Sequence, residues 1–334
     1  MKPIWPIHLR GTGGYVPDQV VPNQHFIDYL DTNEEWIVSR TGIRERHRAA
    51  PHQATSDLAL IASQRALADA GMTGDEIEVV VCATATPDHP FPSTASILQA
   101  GIGATNAAAF DVGAACAGFI HAAAVAVGML SAGMYRHALV VGAETLTRYA
   151  DPQDRSIAIL LGDGAGAAIL SRADRDDLNG SSGVLYCSLG CDGTRAKDIW
   201  LPAGGSRLPA SRNTVDERLH FMRMRGREVY KFAVVKMQEL IDQALMATGL
   251  TAADLKLLIP HQSNLRIIES VREKMGLPKE KVTVNIDRFG NTSAASIIMG
   301  LDEARRSGVL KKGDHVLMIA IGAGLAWGTM VIRL

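Results

Sequence analysis

Short apolar runs separated by longer amphipathic stretches make up most of the chain. The runs are rich in Val, Ile and Leu, which is typical of strands buried on both faces of a sheet. The stretches between them carry apolar residues at helical spacing. The pattern predicts an α/β fold with mixed, mostly parallel sheets, and strands at 78–84, 138–143, 164–170, 183–188, 256–260, 282–287, 315–321 and 328–333.

The chain also repeats itself at a constant offset of 178 residues. ALADAGMTGDEI at 66–77 aligns with ALMATGLTAADL at 244–255, and HALVVGAE at 137–144 aligns with HVLMIAIG at 315–322. One offset shared by successive elements indicates two similar halves. A duplicated α/β fold of this kind places its functional site at strand ends where the halves meet.

We predict the boundary between the halves in SRADRDDLNGSS, near 172–182, because this segment is charged and turn-rich. It divides the chain into an N-terminal half, 1–176, and a C-terminal half, 177–334. The repeat also pairs the segment around Cys116 with GNTSAAS at 290–296. Both lead into a helix of small residues, so the two helix starts can face each other.

Charge and cysteine content narrow the class of function. Lys and Arg total 34 against 35 for Asp and Glu, which argues against a dedicated nucleic-acid binder. Four cysteines are too few for a disulfide scaffold and favour a reducing cytoplasm. Cys187 and Cys191 are not followed by a second pair at zinc-site spacing, so we expect no metal site.

Two segments bear on membrane targeting. The N-terminus, MKPIWPIHLRG, lacks the apolar core of a signal peptide. The run from Ala114 to Met134 approaches the length of a membrane span, but it contains His121 and many small residues. We interpret it as a helix buried inside the fold and expect no membrane insertion.

The clearest chemical signal is Cys116, which lies among Gly and Ala in VGAACAGF at 112–119. At the start of a helix, unpaired N–H groups and the helix dipole favour the nucleophilic thiolate. The same N–H groups can hold an oxyanion after attack on a carbonyl. A small buried cysteine with only a packing role fits the local sequence equally well.

Two further residues give that cysteine a context. His261 follows an apolar strand and opens HQSN, while Asn291 lies in GNTSAAS. Taken alone, the histidine could be structural and the asparagine a helix cap. Together with Cys116, at three loop ends of two symmetric halves, they form a coherent Cys-His-Asn site.

With these residues the sequence resembles the β-ketoacyl-[acyl-carrier-protein] synthase III family, condensing enzymes of the thiolase-like superfamily that initiate bacterial fatty-acid synthesis. The resemblance covers essentially the whole chain and rests on the order and spacing of GIRERH (42–47), AACAGF (114–119), DGAGAA (163–168), HQSNLRI (261–267), GNTSAAS (290–296) and GAGLAWG (322–328). It implies a duplicated, five-layered α/β/α/β/α fold with two pseudo-symmetric halves.

The resemblance also implies a reaction. Cys116 takes a short acyl group from acyl-CoA, and His261 and Asn291 support decarboxylation of malonyl-[acyl-carrier protein], whose carbanion attacks the acyl-Cys. The backbone N–H groups of Cys116 and Ala323 would form the oxyanion hole. The two neutral donors stabilise negative charge without a metal, so no cofactor is expected.

Roles for the remaining site residues come from the same resemblance. Contacts to CoA are implied for Trp36, Arg40, Arg155 and Asn264. Docking of an acidic carrier protein is implied for Gln262, Arg266, Lys231 and Arg272. Phe91 would reach across a homodimer to close the partner's acyl pocket. Arg227 departs from a small amide in many relatives, which bears on the CoA contacts. Each charged residue could instead be a solvated helix charge.

Three alternatives remain open. A related acyltransferase or condensing enzyme of secondary metabolism would use a different acceptor. A hydrolase could use Cys-His-Asn as nucleophile, base and orienting group. A binding protein without catalysis would have no need of all three residues. The primer, whether acetyl, propionyl, branched or longer, is not fixed by the sequence.

Overall fold

The structure, a computed structural model, describes residues 6–173 and 182–334. Its strands are β1 (Ile7–Tyr15), β2 (Gln19–Pro22), β3 (Glu45–Arg48), β4 (Val79–Ala83), β5 (Ala108–Val112), β6 (His137–Glu144), β7 (Gly164–Arg172), β8 (Gly183–Cys191), β9 (Ile199–Trp200), β10 (Arg223–Met224), β11 (Leu255–Pro260), β12 (His315–Gly322) and β13 (Ala326–Arg333). Its α-helices are α1 (Gln24–Ile27), α2 (Glu34–Thr41), α3 (Thr55–Ala70), α4 (Thr94–Gly101), α5 (Gly118–Ser131), α6 (Arg155–Ala158), α7 (Arg212–Asp216), α8 (Gly226–Thr248), α9 (Leu265–Lys274), α10 (Ile286–Phe289) and α11 (Ala295–Arg306).

Two sheets share one topology. The first has the strand order β1-β7-β6-β4-β5, and the second, taken in the same sense, has the order β8-β13-β12-β11. In the first sheet β5, β4 and β6 are parallel to one another, and β7 and β1 pair antiparallel to their neighbours. In the second sheet β11 and β12 are parallel, and β13 and β8 pair antiparallel to their neighbours. The sheets are mixed, as predicted, but antiparallel pairs outnumber parallel ones, so the prediction of mostly parallel sheets is wrong. Strands β6 and β12 begin and end 178 residues apart, as the repeat predicts.

Helices separate and cover the sheets in five layers. Helices α3 and α4 pack on the outer face of the first sheet, and α5 and α11 contact both sheets from between them. Helix α8 packs on the second sheet, with α9 beside it. Three apolar clusters fill the spaces between these layers. The predicted α/β/α/β/α architecture is confirmed.

The prediction of a strand at 282–287 is wrong. Val282 makes a single parallel bridge to Leu258, and the chain then turns into α10. The side chain of Gln262 takes the place of a neighbouring strand, because its amide nitrogen donates to Thr283 O at 3.0 Å and its oxygen accepts from Asn285 N at 3.0 Å. The other seven predicted strands are present. Six observed strands were not predicted. Gly and polar residues interrupt β1, β5 is rich in Ala, and β2, β3, β9 and β10 are only two to four residues long.

The apolar run from Ala114 to Met134 forms a short 3-10 turn followed by α5, which is buried between the sheets. Across the described residues, no helix combines the length and apolar character that crossing a bilayer requires. The boundary predicted between 176 and 177 lies outside the described residues, so the division into halves at that point stays a prediction.

Candidate active site

A cavity of about 560 Å³ opens where the two sheets meet, and Cys116, His261 and Asn291 all line it. Cys116 comes shortly after β5, and His261 directly follows β11. Asn291 lies in the turn before α11. The fold therefore brings the three side chains to one cavity from three different loops, two of them in the second half of the chain.

Cys116 lies in a 3-10 turn, Ala115–Ala117, immediately before α5. Ala115 has a left-handed backbone conformation, with φ of +44°, which turns the chain sharply before the helix. The loop after β12 lies against this turn. A Cβ atom added to Gly322 would be 2.7 Å from the Cys116 nitrogen, so glycine is required there and Ala323 follows beside the nucleophile.

The counterpart of Ala115 in the repeat is Ser293, and it has the same conformation, with φ of +48°. The two turns pack against each other, since a Cβ atom on Gly118 would be 3.4 Å from the Cβ of Ala294. The two helix starts therefore face each other, as the repeat predicts. The active cavity lies at this junction.

The expectation that the helix start favours a thiolate at Cys116 is wrong. Burial raises the pKa of the thiol to about 11, although hydrogen bonds from the Ser293 hydroxyl and from its own backbone N–H act to lower it. The buried carboxyl of Glu144 adds a further upward contribution to that pKa. Desolvation outweighs the contributions that favour the thiolate, so the resting group is a thiol.

His261 is 1% exposed, and its burial lowers the pKa to about 3, so the ring is neutral near pH 7. Its Nδ1 lies 2.7 Å from Ser296 Oγ, and that oxygen accepts a hydrogen bond from the Gln262 N–H. The hydroxyl proton of Ser296 is thereby directed at Nδ1. This assigns the ring proton to Nε2, the nitrogen available to the cavity.

Asn291 is held by its backbone and by one end of its amide. Its N–H donates to Leu160 O at 2.8 Å, and its carbonyl accepts from the Gly162 N–H at 3.0 Å. The side-chain Oδ1 accepts from the Ser293 N–H at 2.9 Å, which turns the NH2 group toward the cavity. Asn291 therefore stabilises the turn and also presents a neutral donor.

Trp36 and Arg40 lie on one face of α2 and both line the cavity, as the helical spacing predicts. Arg155 lies over the Trp36 ring, 5.1 Å from its centroid, and also donates to the Asp31 carbonyl. Two van der Waals contacts in series need about 7 Å, so an aromatic ring does not fit between Trp36 and Arg155 in this arrangement.

Asn264 lines the cavity, but its side chain has structural partners. Its oxygen caps α9 by accepting from the Arg266 N–H at 2.9 Å, and its nitrogen donates to Arg40 O at 3.0 Å. This amide therefore joins α9 to α2. Arg266 is exposed at the mouth of the cavity, with its guanidinium 5.6 Å from the centre of the Tyr230 ring.

The predicted docking role of Gln262 is wrong. Its side chain is fully buried and bonded to the backbone that replaces the expected strand, so no carrier protein can reach it. Arg272 is mostly buried as well, and it donates to Glu269 and to Leu277 O. Lys231 is exposed and paired with Glu228 at 3.4 Å.

Phe91 is 86% exposed and lies outside the residues that line the cavity of its own chain. Arg227, the second residue of α8, is a lining residue. The cavity wall also contains residues that sequence reasoning missed, because ordinary helix and strand patterns hide them: Ser156, Ile159, Leu160, Met224, Tyr230, Met237 and Ile321.

The described residues contain no group of three or more His, Cys, Asp or Glu placed to hold a metal ion.

Comparison with known proteins gives a consistent assignment. A family model described as 3-oxoacyl-[acyl-carrier-protein (ACP)] synthase III matches residues 110–193, and the model of its C-terminal part matches residues 245–334. The β-ketoacyl-[acyl-carrier-protein] synthase III of Caldanaerobacter subterraneus is 49% identical over 97% of both chains. That of Symbiobacterium thermophilum is 47% identical over 99% of this chain and 98% of its own. The crystal structure of the Aquifex aeolicus 3-oxoacyl-[acyl-carrier-protein] synthase III superposes with a TM-score of 0.89 at 38% identity, covering 98% of this chain and 100% of the other.

Proposed function

Because this chain belongs to the 3-oxoacyl-[acyl-carrier-protein] synthase III family of condensing acyltransferases, we propose that it joins a short acyl-CoA primer to malonyl-[acyl-carrier protein] with loss of CO2. This reaction initiates fatty-acid synthesis. The observation that carries the proposal is the single cavity shared by Cys116, His261 and Asn291.

In the first half-reaction the Cys116 sulfur attacks the thioester carbon of acyl-CoA. The oxyanion that forms is held by the backbone N–H groups of Cys116 and Ala323, whose loops Gly322 keeps in contact. The C–S bond to CoA then breaks, CoA leaves as a thiol, and the acyl group stays on Cys116. The sharp turn at Ala115 exposes the sulfur to the cavity for this attack.

In the second half-reaction malonyl-[acyl-carrier protein] enters the same cavity. The Nε2–H of His261 and the amide NH2 of Asn291 donate to the thioester oxygen of the malonyl group. Loss of CO2 leaves an enolate on that oxygen, and two fixed neutral donors in a buried site stabilise it. The enolate carbon attacks the acyl-Cys and releases β-ketoacyl-[acyl-carrier protein].

Recognition of CoA is assigned to the outer part of the cavity. Trp36 offers an aromatic face and Arg40 a cation for a phosphate. Arg155 must leave the Trp36 ring to flank an adenine, which its exposed position allows. Asn264 supports this region by holding Arg40 in place, and Arg227 adds a second cation at the cavity wall.

A homodimer is part of the proposal. Strand β5 is the edge of the first sheet, and all five of its residues are partly exposed. A second copy would pair with this edge and cover the exposed Phe91. Phe91 would then close the partner's acyl pocket, and its bulk favours short primers.

Docking of the carrier protein is assigned to two exposed cations, Arg266 at the cavity wall and Lys231 on α8. Arg272 supports α9 rather than contacting the partner, because its guanidinium is bonded within its own helix and to Leu277 O. A cytoplasmic location fits the four free cysteines.

The proposal is tested by supplying acetyl-CoA and malonyl-[acyl-carrier protein] and measuring CO2 and β-ketoacyl product. We expect both in equal amounts. The variants His261→Ala and Asn291→Ala should keep acylation of Cys116 but lose condensation. Free acetate without CO2 would favour the hydrolase, and acyl transfer to a non-malonyl acceptor would favour the secondary-metabolism alternative.

A further inference from the structure

A second cavity, of about 280 Å³, lies beside α6 and has no described lining residue in common with the active cavity. Ala158, the last residue of α6, lines this second cavity, whereas Ser156 in the same helix lines the active cavity. No Asp or Glu is among the described residues of its wall. Three arginines and three aromatic residues form much of that wall: Arg46, Arg48, Arg148, Phe26, Tyr29 and Phe221. We call it the arginine cavity, and such a lining is suited to an anion.

Two separate elements bring the three arginines together. Arg46 and Arg48 are two residues apart on β3, so their side chains lie on the same face of that strand. Arg148 lies in the 3-10 turn Leu146–Tyr149, after β6. Like charges repel one another, so the fold gains nothing electrostatically from collecting three cations at one cavity. An anion between them would turn that repulsion into attraction.

Arg46 is the most informative of the three arginines, because it is 1% exposed. Its guanidinium donates to Val21 O at 3.0 Å and to Asn23 Oδ1 at 2.9 Å. It also donates to Ile159 O at 2.6 Å. All three acceptors are neutral, and Nε is buried without a hydrogen-bond partner among the described residues. Burial of a cation without a counter-ion is costly, so an anion at this cavity would compensate a charge that the fold leaves unpaired.

The pKa of Arg46 reflects the same lack of a counter-ion. Burial lowers that pKa to about 10, and the charge of Arg48 acts in the same direction. Glu34 and Glu45 act against this lowering, but across the described part of the chain neither forms an ion pair with Arg46. Arg46 is therefore a cation near pH 7 whose charge is compensated only from a distance.

The other two arginines have N–H groups to spare. Arg48 is half-buried, and its guanidinium makes no hydrogen bond or ion pair within residues 6–173 and 182–334. Both hydrogen bonds of Arg148 run from Nη2 to backbone carbonyl oxygens, so its Nε and Nη1 have no hydrogen-bond partner in the described chain. By contrast, the half-buried Arg305 pairs with Asp69 at 2.7 Å.

Aromatic rings provide the apolar part of the arginine cavity. The guanidinium of Arg46 lies over Phe26, 4.6 Å from the centre of the ring. Tyr29 is 48% exposed, and Phe221 is partly exposed. Because these two rings line the cavity without being fully covered, they offer planar faces to the organic part of a ligand.

We propose that the arginine cavity binds a small organic phosphate. The phosphoryl oxygens accept hydrogen bonds from Arg48 and Arg148, while Arg46 supplies its positive charge from the cavity wall. A planar part of the ligand lies against Tyr29 and Phe221. Phosphate is favoured over a carboxylate, because it carries up to two charges at neutral pH and offers three oxygens to the arginine forks. The site takes no part in condensation, so this inference goes beyond the proposed function and does not depend on it.

The test is a calorimetric titration of the full-length protein at about pH 7.5. The probes are phenyl phosphate, inorganic phosphate and benzoate, which separate the contribution of the phosphate from that of the ring. The variants Arg48→Gln and Arg148→Gln each remove one cation, and Tyr29→Leu removes the exposed ring. Arg148 is exposed, so its replacement keeps the fold and carries the test even if Arg48→Gln is unstable.

Two further variants control for the place of binding. Arg65→Gln is the matched control, because Arg65 is an exposed arginine that lies over another tyrosine ring, Tyr15, at 5.4 Å and outside the arginine cavity. Arg40→Gln removes a cation from the active cavity and so reports any binding of the probes there.

We expect one phenyl phosphate per chain, bound about tenfold more tightly than inorganic phosphate, which is the scale of one aromatic contact. Each arginine variant should weaken the binding of both phosphates about tenfold or more, the scale of one charge-assisted hydrogen bond. Tyr29→Leu should weaken only the binding of phenyl phosphate, and Arg65→Gln should change neither affinity.

Several results would overturn the proposal: no binding of phenyl phosphate, equal affinity in the wild type and both arginine variants, or a loss confined to Arg40→Gln. Benzoate bound as tightly as phenyl phosphate would overturn the assignment of a phosphate. Because the titration involves no acyl group, its result is the same whether or not the chain condenses acyl-CoA with malonyl-[acyl-carrier protein].

Discussion

Ser296 Oγ lies 2.7 Å from Nδ1 of His261, and both groups are buried. The hydroxyl donates to Nδ1 and so keeps the proton of the neutral ring on Nε2. This hydrogen bond joins the first turn of α11 to the loop after β11, two elements that are far apart in the sequence.

Replacing Ser296 with Ala should therefore impair decarboxylation while sparing acylation. We expect the condensation rate to fall about 10- to 100-fold, the scale known for removing the hydrogen-bond partner of a metal-bound histidine. The measurement compares CO2 release with CoA release in single turnovers. Ser307→Ala, at the exposed end of the same helix, is the control and should change neither rate. Equal losses in both half-reactions would show that Ser296 has a general structural role instead.

The low pKa of His261 makes stability depend on pH. Burial lowers that pKa from the ordinary 6.5 to about 3, so between these values the unfolded chain binds a proton that the folded protein does not. The contribution of His261 to the free energy of unfolding therefore falls as pH falls below 6.5, by roughly 2 kcal/mol at pH 5. Glu144, whose pKa burial raises to about 7, contributes a rise over the same pH range. In urea unfolding between pH 7 and 5, the wild type should therefore lose roughly 2 kcal/mol of stability relative to His261→Ala. The exposed His52→Ala should keep the wild-type slope, and a His261 variant with that same slope would contradict the assignment.

Gln262→Ala should destabilise the protein instead of weakening carrier binding. Its amide bonds to Pro260 O, Thr283 O, Asn285 N and Ile286 N, all within the fold. Leaving such buried groups without partners costs about 3 kcal/mol or more. Urea unfolding measures the loss, with Gln24→Ala, an exposed side chain paired with Asp28, as the control. If Gln262→Ala instead bound the carrier protein more weakly at unchanged stability, Gln262 would have the docking role first predicted for it.

Trp36→Ala should raise the KM for acyl-CoA about tenfold with little change in kcat, because an aromatic contact to the adenine is worth about 1 kcal/mol or more. Trp200→Ala provides the control. Trp200 also contacts a cation, Lys197 at 5.4 Å from the ring, but it is outside the cavity lining. The acetyl thioester of N-acetylcysteamine should react equally with both variants. An unchanged KM in Trp36→Ala would show that Trp36 does not contribute to CoA binding.

The repeat and the apolar runs predicted much of the fold, because both are visible in the order and spacing of residues along the chain. Strands β6 and β12 are 178 residues apart in the sequence and occupy equivalent places in two sheets. The same offset brings the turn before α5 opposite the turn before α11. The left-handed conformations of Ala115 and Ser293 were beyond prediction, since neither residue is a glycine and the surrounding loops impose them.

The site was less predictable where long-range packing decides the outcome. Cys116 was expected to be a thiolate from its place at a helix start, but Gly322 of the second half packs against its backbone, and burial raises the pKa of the thiol. Gln262 looked like a surface residue beside His261 until the backbone at 283–286 was placed around its amide. Glu144 follows a predicted strand, yet nothing local shows that its carboxyl group is fully buried and accepts a hydrogen bond from Thr86 Oγ1.

The central claim is that an acyl group rests on Cys116 and is consumed by a decarboxylating acceptor. The most direct measurement loads the protein with radiolabelled acetyl-CoA, removes the excess, and adds malonyl-[acyl-carrier protein] in a single turnover. Peptide mass spectrometry should place the label on Cys116 before the addition, and one CO2 should be released for each label that moves into β-ketoacyl-[acyl-carrier protein]. Label found on another residue, or label that leaves Cys116 as free acetate without CO2, would contradict the account.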